Sequence, residues 1–257
     1  MLSGLYNAAQ GMALAEKRHE VTAQNLAHAH MPGYRRRVFT QTEFSKVLDA
    51  NQAAQQQAAA NAQAGDSNVA IPPNQGPAQI FSVVSDFSTG SMQATGRPLD
   101  IAIEGDGFFV VEGPQGPLYT RNGGFHINTQ GEIVSVDGLP LQGNAGKLTV
   151  ADNVSAEAIT VSHDGQIFAG ATSVGQLKIV VAQNPQALTE MGETLYAGSD
   201  AAGIRDTEVK VTQGFLEAAN VTAVSELVNL LVASRQYEAA QKTLTAIDTA
   251  IRNRIDL

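Results

Sequence analysis

The run NLLVASRQYEAAQKTLTAIDTAI, residues 229–251, sets the architecture. Within it Leu230, Ala233, Tyr237, Ala240, Leu244, Ile247 and Ile251 follow one another at alternating spacings of three and four. That is the period of a helix face packed against a partner helix. No proline or glycine interrupts it, so one helix is expected over residues 222–254. At ~1.5 Å per residue it extends on the order of 45–50 Å, longer than a typical globular helix.

The opposite end of the chain repeats the pattern in a weaker form. From residue 3 to 29 there is no proline, and Leu5, Ala8, Met12, Ala15, His19, Thr22 and Leu26 trace a heptad-like stripe. Most of its members are small, so this helix approaches a neighbour closely but gains little burial alone. Pro32 and Gly33 stop it. The two stripes fit an antiparallel helix pair inside one globule and equally a seam between subunits.

Between the helices the pattern changes twice. Residues 51–79, NQAAQQQAAANAQAGDSNVAIPPNQGPAQ, carry a single charged residue and no aromatic. Such a segment has too little apolar area to offset its chain entropy unless neighbours pack on it. From 80 to about 211 short β-type runs such as IAIEGDGFFVV and GQLKIVVA alternate with turn signals at Asp137-Gly138 and Asp164-Gly165. Residues 159–168 read as a hairpin around His163-Asp164-Gly165, and Gly105-Asp106-Gly107 reads as a tight hairpin turn. Phe108 and Phe109 are expected to anchor the β-domain. The expected fold class is α+β: a discontinuous helical domain made of terminal coiled-coil helices, with an inserted all-β domain. Its parts are an N-terminal helix (1–34), a linker or extended low-complexity segment (35–79), the β-domain (80–213) and a C-terminal helix (214–257).

Composition excludes several kinds of function. The 257 residues contain no cysteine, which removes disulfides, thiolate zinc sites and a cysteine nucleophile. No apolar run approaches the ~18 residues of a membrane span, and no cleavable Sec-type leader pattern opens the chain. Membrane insertion is therefore not expected. The formal net charge is −9, and residues 51–214 hold 16 acids against 6 bases. Nucleic acid is an unsuitable partner for such a chain. The one basic cluster, Arg35, Arg36 and Arg37, reads as a solvated or partner-facing turn.

Candidate chemistry is thin. Asp100, Glu104 and Asp106 are the acids best placed for glycoside hydrolysis, but their spacing establishes neither a paired geometry nor a raised pKa. His28 and His30, two apart on a helix, point away from each other, and zinc needs three or four ligands. Neither a phosphate-binding glycine loop nor a nucleophile elbow is present. No catalytic, cofactor-binding or metal residue is assigned. The working positions are instead packing residues, with Leu5, Met12, Leu26, Leu230, Tyr237, Leu244 and Ile251 expected at subunit interfaces. Asn25, Gly33 and Tyr34 are expected to shape the turn by which the chain leaves the first helix, Gly33 through its backbone freedom.

Three segments carry a family resemblance. NLAHAHMPGYRR (25–36) resembles the Asn-rich helix end and Gly-aromatic-basic turn of flagellar rod and hook proteins. TGRPLDIAIEGDGFFVV (95–111) and then YTRNGGF (119–125) are similar to the same family's most specific signature, in the same order. EAANVTAVSELVNLLVASRQYEA (217–239) is similar to its C-terminal helix. The matched positions include Gly96, Pro98, Leu99, Asp100, Gly105, Gly107, Phe108, Phe109, Tyr119, Thr120 and Arg121.

The resemblance implies a structural, non-enzymatic subunit. Its terminal helices would form an inner layer and its β-domain would lie outside, in a hollow drive shaft that crosses the periplasm. It also implies partners: copies of the chain, other rod and hook subunits, and the type III export apparatus, which passes the unfolded chain without cleaving a leader. A rod role ranks above a hook role, with a lean to the proximal rod. The sequence departs from the family pattern at His19, His28 and His30. A peptidoglycan-active enzyme or carbohydrate-binding β-domain is the reading from another class.

Overall fold

A computed structural model describes residues 2–43, 79–151, 155–207 and 210–255. Two long helices, α1 (Leu2–Ala27) and α2 (Ala223–Ile255), bracket a set of short strands. Both run within a few residues of the extents expected from their periodicity. Beyond α1 the amide of Met31 still reaches His28 O at 2.9 Å, and Pro32, having no amide proton, cannot extend the series. α2 starts after Thr222, whose carbonyl accepts from Glu226 N at 3.1 Å and from Ser225 Oγ at 2.7 Å. Glu226 places a carboxylate in the first turn, where the helix dipole favours negative charge.

Contacts divide the chain into two compact units. The first comprises the described parts of residues 1–22, 37–84 and 228–257. In it α1 and α2 pack side by side. Arg18 Nη1 donates to Gln236 Oε1 at 3.2 Å, and a Cβ placed on Gly11 would stand 3.9 Å from Ala240 Cβ. Ala8, Ala15 and Ala233 are buried. Small side chains at these positions bring the helices close, so dispersion between near backbones replaces the large apolar burial that a Leu-rich seam would supply. His19, expected on the α1 stripe, is exposed instead, because its imidazole is better solvated than packed against alanines. Strands Arg37–Glu43 and Gln79–Ser85 form a two-stranded sheet here, and Thr40 Oγ1 donates to Ser82 O at 3.1 Å. The strand at Arg37–Glu43 was not expected. Most of the low-complexity stretch, with the side chains of Leu5 and Ile251, lies outside the described residues.

The second unit comprises residues 23–36 and the described parts of 85–227. Its centre is a six-stranded antiparallel sheet in the order Thr189–Glu190, Leu195–Ala197, Gly116–Thr120, Phe108–Gly113, Ile179–Ala182 and Ile204–Asp206. Phe108–Gly113 is covered on both faces. Alternation sends Phe109 and Val111 into one core with Ile101, Ile133 and Leu141, while Phe108 and Val110 enter a second with Tyr119, Val180 and Tyr196. Phe109 meets Phe125 edge-to-face at 5.1 Å, and Phe108 meets Tyr196 at 6.0 Å. Two consecutive phenylalanines thus serve two cores.

The hairpin at residues 159–168 forms as expected. Ile159–Val161 pairs with Gln166–Ala169, and Gly165 takes a φ of 77°. The Gly105–Gly107 turn differs from the expectation. Ile101–Ile103 pairs with Val211–Gln213, whereas Phe108–Gly113 pairs with Gly116–Thr120 and Ile179–Ala182. The turn therefore carries the chain from one sheet to another instead of closing a hairpin. Two adjacent apolar runs with glycines between them do not reveal which distant strands will claim their edges.

Candidate functional site at the helix exits

The three motif segments meet within the second unit, where the chain leaves α1 and later enters α2. Asn25, in the last turns of α1, is buried and accepts from Tyr34 Oη at 3.1 Å, closing the turn between them. Gly33 has a φ of 72°, and its amide donates to Glu217 O at 2.8 Å. A Cβ there would lie 2.4 Å from Asn122 N and 2.5 Å from Arg121 C. Only glycine fits this backbone crossing. The three residues named from sequence as the exit turn thus share one small site.

Beneath it lies a charged network that sequence reading missed. Arg35 is 2% exposed, and Arg121 and Glu217 are each 3% exposed. Arg35 Nη1 donates to Glu217 Oε1 at 2.8 Å and to Ser88 O at 2.7 Å. Glu217 Oε1 also accepts from the Gly90 amide at 2.7 Å. Arg121 Nε stands 3.0 Å from Glu217 Oε2, an ion pair without hydrogen-bond alignment, while Arg121 Nη2 donates to Gly105 O. Burial lowers the basicity of Arg121, Glu217 raises it, Arg35 lowers it and Asp106 raises it.

Arg35 therefore does not belong to the solvated or partner-facing turn expected of the basic cluster, whereas Arg36 and Arg37 are half-exposed. Arg35 is buried because Glu217, far along the chain, supplies its counter-charge, and Arg36 pairs with the buried Glu226 at 2.8 Å. Asn220 completes the tie. Its Oδ1 accepts from Arg36 N at 2.6 Å, and its Nδ2 donates to Asp86 O and Ser88 O at 2.8 and 3.0 Å. Residues following α1 and residues preceding α2 are thereby fastened to the same β-structure. Glu217 and Asn220 both lie in the segment read for its resemblance, but no local pattern distinguished them from solvated polar residues.

The remaining signature residues support the frame. Gly96, at a φ of 72°, and Thr95 both donate to Gly214 O. Pro98 O accepts from Gln213 Nε2 at 2.8 Å, and Leu99 is in the core. Asp100 is buried and accepts twice from Arg97, at 2.8 and 2.7 Å, and these hydrogen bonds raise the basicity of Arg97. Thr120 Oγ1 accepts from Asn122 N at 3.0 Å. Tyr119 opposes Tyr196 across the sheet, and burial, with Asp206 second, raises the pKa of its phenol.

The tempting acids stand in different settings. Asp100 is held by Arg97, Glu104 Oε1 accepts from Thr212 Oγ1 at 2.5 Å, and Asp106 is exposed. His28 Nε2 lies 2.9 Å from Glu193 Oε1, its Nδ1 lies 2.9 Å from Gln24 O, and His30 is exposed. No three His, Asp or Glu side chains gather among the described residues.

The expected interface residues distribute over the helices. Met12, Leu26, Leu230 and Leu244 are half-buried, and Tyr237 is 37% exposed. A second apolar stripe went unnoticed. Val224, Leu227, Val228, Leu231 and Val232 recur on another face of α2 and are exposed by 71, 52, 56, 53 and 48%. Their spacing of three and four was legible in the sequence, but the more regular seam beside it masked them.

Comparison with known proteins yields two family matches. Residues 102–169 match the flagellar hook protein FlgE/F/G D1 domain, and residues 212–255 match the flagellar basal body rod FlgEFG protein C-terminal region. The chain is 34% identical to the flagellar basal-body rod protein FlgG of Agrobacterium fabrum, over 94% of each chain. It is 30% identical to FlgF of Caulobacter vibrioides, over 95% of this chain and 93% of that one. It is also 28% identical to FlgG of Bacillus subtilis, over 100% and 99%.

Proposed function

Because this chain belongs to the flagellar basal-body rod protein family, we propose that it builds the periplasm-spanning rod through helix faces left uncovered in the single subunit. It is a structural, self-assembling subunit and not an enzyme. The observation that carries the interface reading is the exposed stripe of Val224, Leu227, Val228, Leu231 and Val232. Full burial of a large aliphatic side chain is worth roughly 1.5–3 kcal/mol, and these five, already about half covered, stand to gain roughly half of that each, still a drive to find a partner. The seam expected from sequence, Leu5, Met12, Leu26, Leu230, Tyr237, Leu244 and Ile251, would then be shared between helix pairing within the chain and packing against neighbours. Those neighbours are copies of the chain and other rod or hook subunits, reached after unfolded passage through the type III export apparatus.

In the assembled rod, residues 1–34 and 214–257 would supply the inner helical layer and residues 80–213 the outer body, with residues 35–79 linking them. The buried Arg35–Glu217–Arg121 tie would help pass torque from helix ends to β-structure, because the charge-assisted Arg35–Glu217 hydrogen bond and the Arg121–Glu217 ion pair are stronger than neutral contacts. The lean to the proximal rod rests on NLAHAHMPGYR and TGRPLD.

Electron microscopy of basal bodies from a deletion strain tests the role. Shafts ending before the distal segment agree with it; shafts ending only at the hook, or complete shafts, overturn the proximal reading. Complete, functional flagella in that strain would overturn the rod role itself.

A further inference from the structure

The exit network is charge-imbalanced, and the imbalance opens on a cleft. Two buried guanidinium groups, Arg35 and Arg121, share the single carboxylate of Glu217, which leaves one positive charge without a buried partner. Arg121 Nη1 and Arg35 Nε make no hydrogen bond among the described residues, and neither does the acceptor Glu217 Oε2, so the one carboxylate between the two guanidinium groups is itself incompletely used. Both arginine side chains line one cleft of about 220 Å³ with Phe87, Phe108 and Gln183, and Asp106 lies exposed among the lining residues. Buried donors of native proteins are nearly always satisfied, and where no protein acceptor is present an ion or water supplies one. A charged donor in an aromatic-walled site favours an anion, since the low local dielectric strengthens the pairing.

We propose that this cleft is an anion site for a single carboxylate, held by Arg121 and Arg35. The guanidinium fork matches the two oxygens of a carboxylate. Neither orphan nitrogen is itself exposed, so binding includes a small movement of the arginine side chains toward the cleft, which their flexible stems allow. Such an anion offsets the burial that lowers the basicity of Arg121. Asp106 is the in-chain competitor, because its exposed carboxylate already acts on the same guanidinium. Carboxylates have two sources: a free small acid, or an Asp or Glu side chain of a neighbouring subunit. The second is plentiful, since residues 51–214 hold 16 acids against 6 bases.

Acetate is the probe. Thermal unfolding of the full chain at low protein concentration is followed against sodium acetate, with sodium chloride at matched ionic strength as reference. A saturable rise in midpoint with acetate beyond that with chloride is expected, because a ligand of the folded state stabilises it by mass action. Asp106→Asn removes the competitor from an exposed turn and is expected to tighten apparent acetate affinity at least about threefold. Arg121→Met is expected to lose the acetate-specific rise. Should Arg121→Met not fold, the Asp106→Asn comparison decides alone. Equal midpoints in acetate and chloride for both wild type and Asp106→Asn overturn the site, as does an Arg121→Met response equal to wild type.

These measurements are independent of the rod function, and only the source of the carboxylate rests on it. Sedimentation at high protein concentration separates the sources. Loss of association on adding acetate assigns a neighbour's side chain, and unchanged association with retained acetate binding assigns a free acid.

Discussion

Glu217 shows how much one side chain holds. It receives Arg35 and the Gly90 amide on one oxygen and faces Arg121 with the other, while its own carbonyl accepts from Gly33. Glu217→Gln keeps the shape but strands two buried guanidinium groups, so a loss of about 3–5 kcal/mol is expected, the cost of breaking a buried pair from one side. A urea midpoint within error of wild type would refute this. Gly33 makes a different demand. Its left-handed φ and the 2.4 Å separation between an added Cβ and Asn122 N combine strain with backbone collision. Gly33→Ala is expected to cost more than about 2 kcal/mol, read as a lower thermal midpoint. The glycine's need for backbone freedom was visible from Pro32-Gly33-Tyr34 alone, but the crossing segment that fixes it was not, because Arg121 and Asn122 arrive from elsewhere in the chain.

At the scale of elements, α2 carries two faces with different tasks. One holds the buried Ala233, then Ala240, which lies against Gly11 of α1, with the half-buried Leu244 following at the same period, and the other displays Leu227, Val228 and Leu231. Leu231→Asp is expected to leave monomer stability within about 0.5 kcal/mol, as surface substitutions usually do, yet to prevent incorporation into the rod. Leu244→Asp places a charge in the half-buried face and is expected to weaken both helix pairing and incorporation. Motility assays on strains carrying each variant, beside urea unfolding of the purified chains, separate the two faces. Normal swimming with Leu231→Asp would remove the exposed stripe from the interface. The period of three and four exposed the first face directly. The second escaped notice because its residues crowd into two turns, where a run of aliphatics reads as surplus to the seam.

For the whole molecule, the balance lies between ordering long helices and the burial available to a lone chain. Ala-rich packing between α1 and α2 supplies little area, and the aliphatic stripe on α2 is only partly covered until a neighbour packs on it. Circular dichroism of dilute protein is therefore expected to show less helix than assembled material, and equal helicity would contradict the coupling of order to assembly. The sequence by itself determined the two terminal helices, the β-rich centre and the exit turn, since periodicity, proline and glycine act on the chain within a few residues. The tertiary structure alone decided that Gly105–Gly107 carries the chain between sheets, that His19 faces water, and that Arg35 is buried. Each of these depends on a partner more than a hundred residues away or on competition for one face. A local pattern cannot encode which of two solutions to the same hydrogen-bonding or charge requirement lies closer in space.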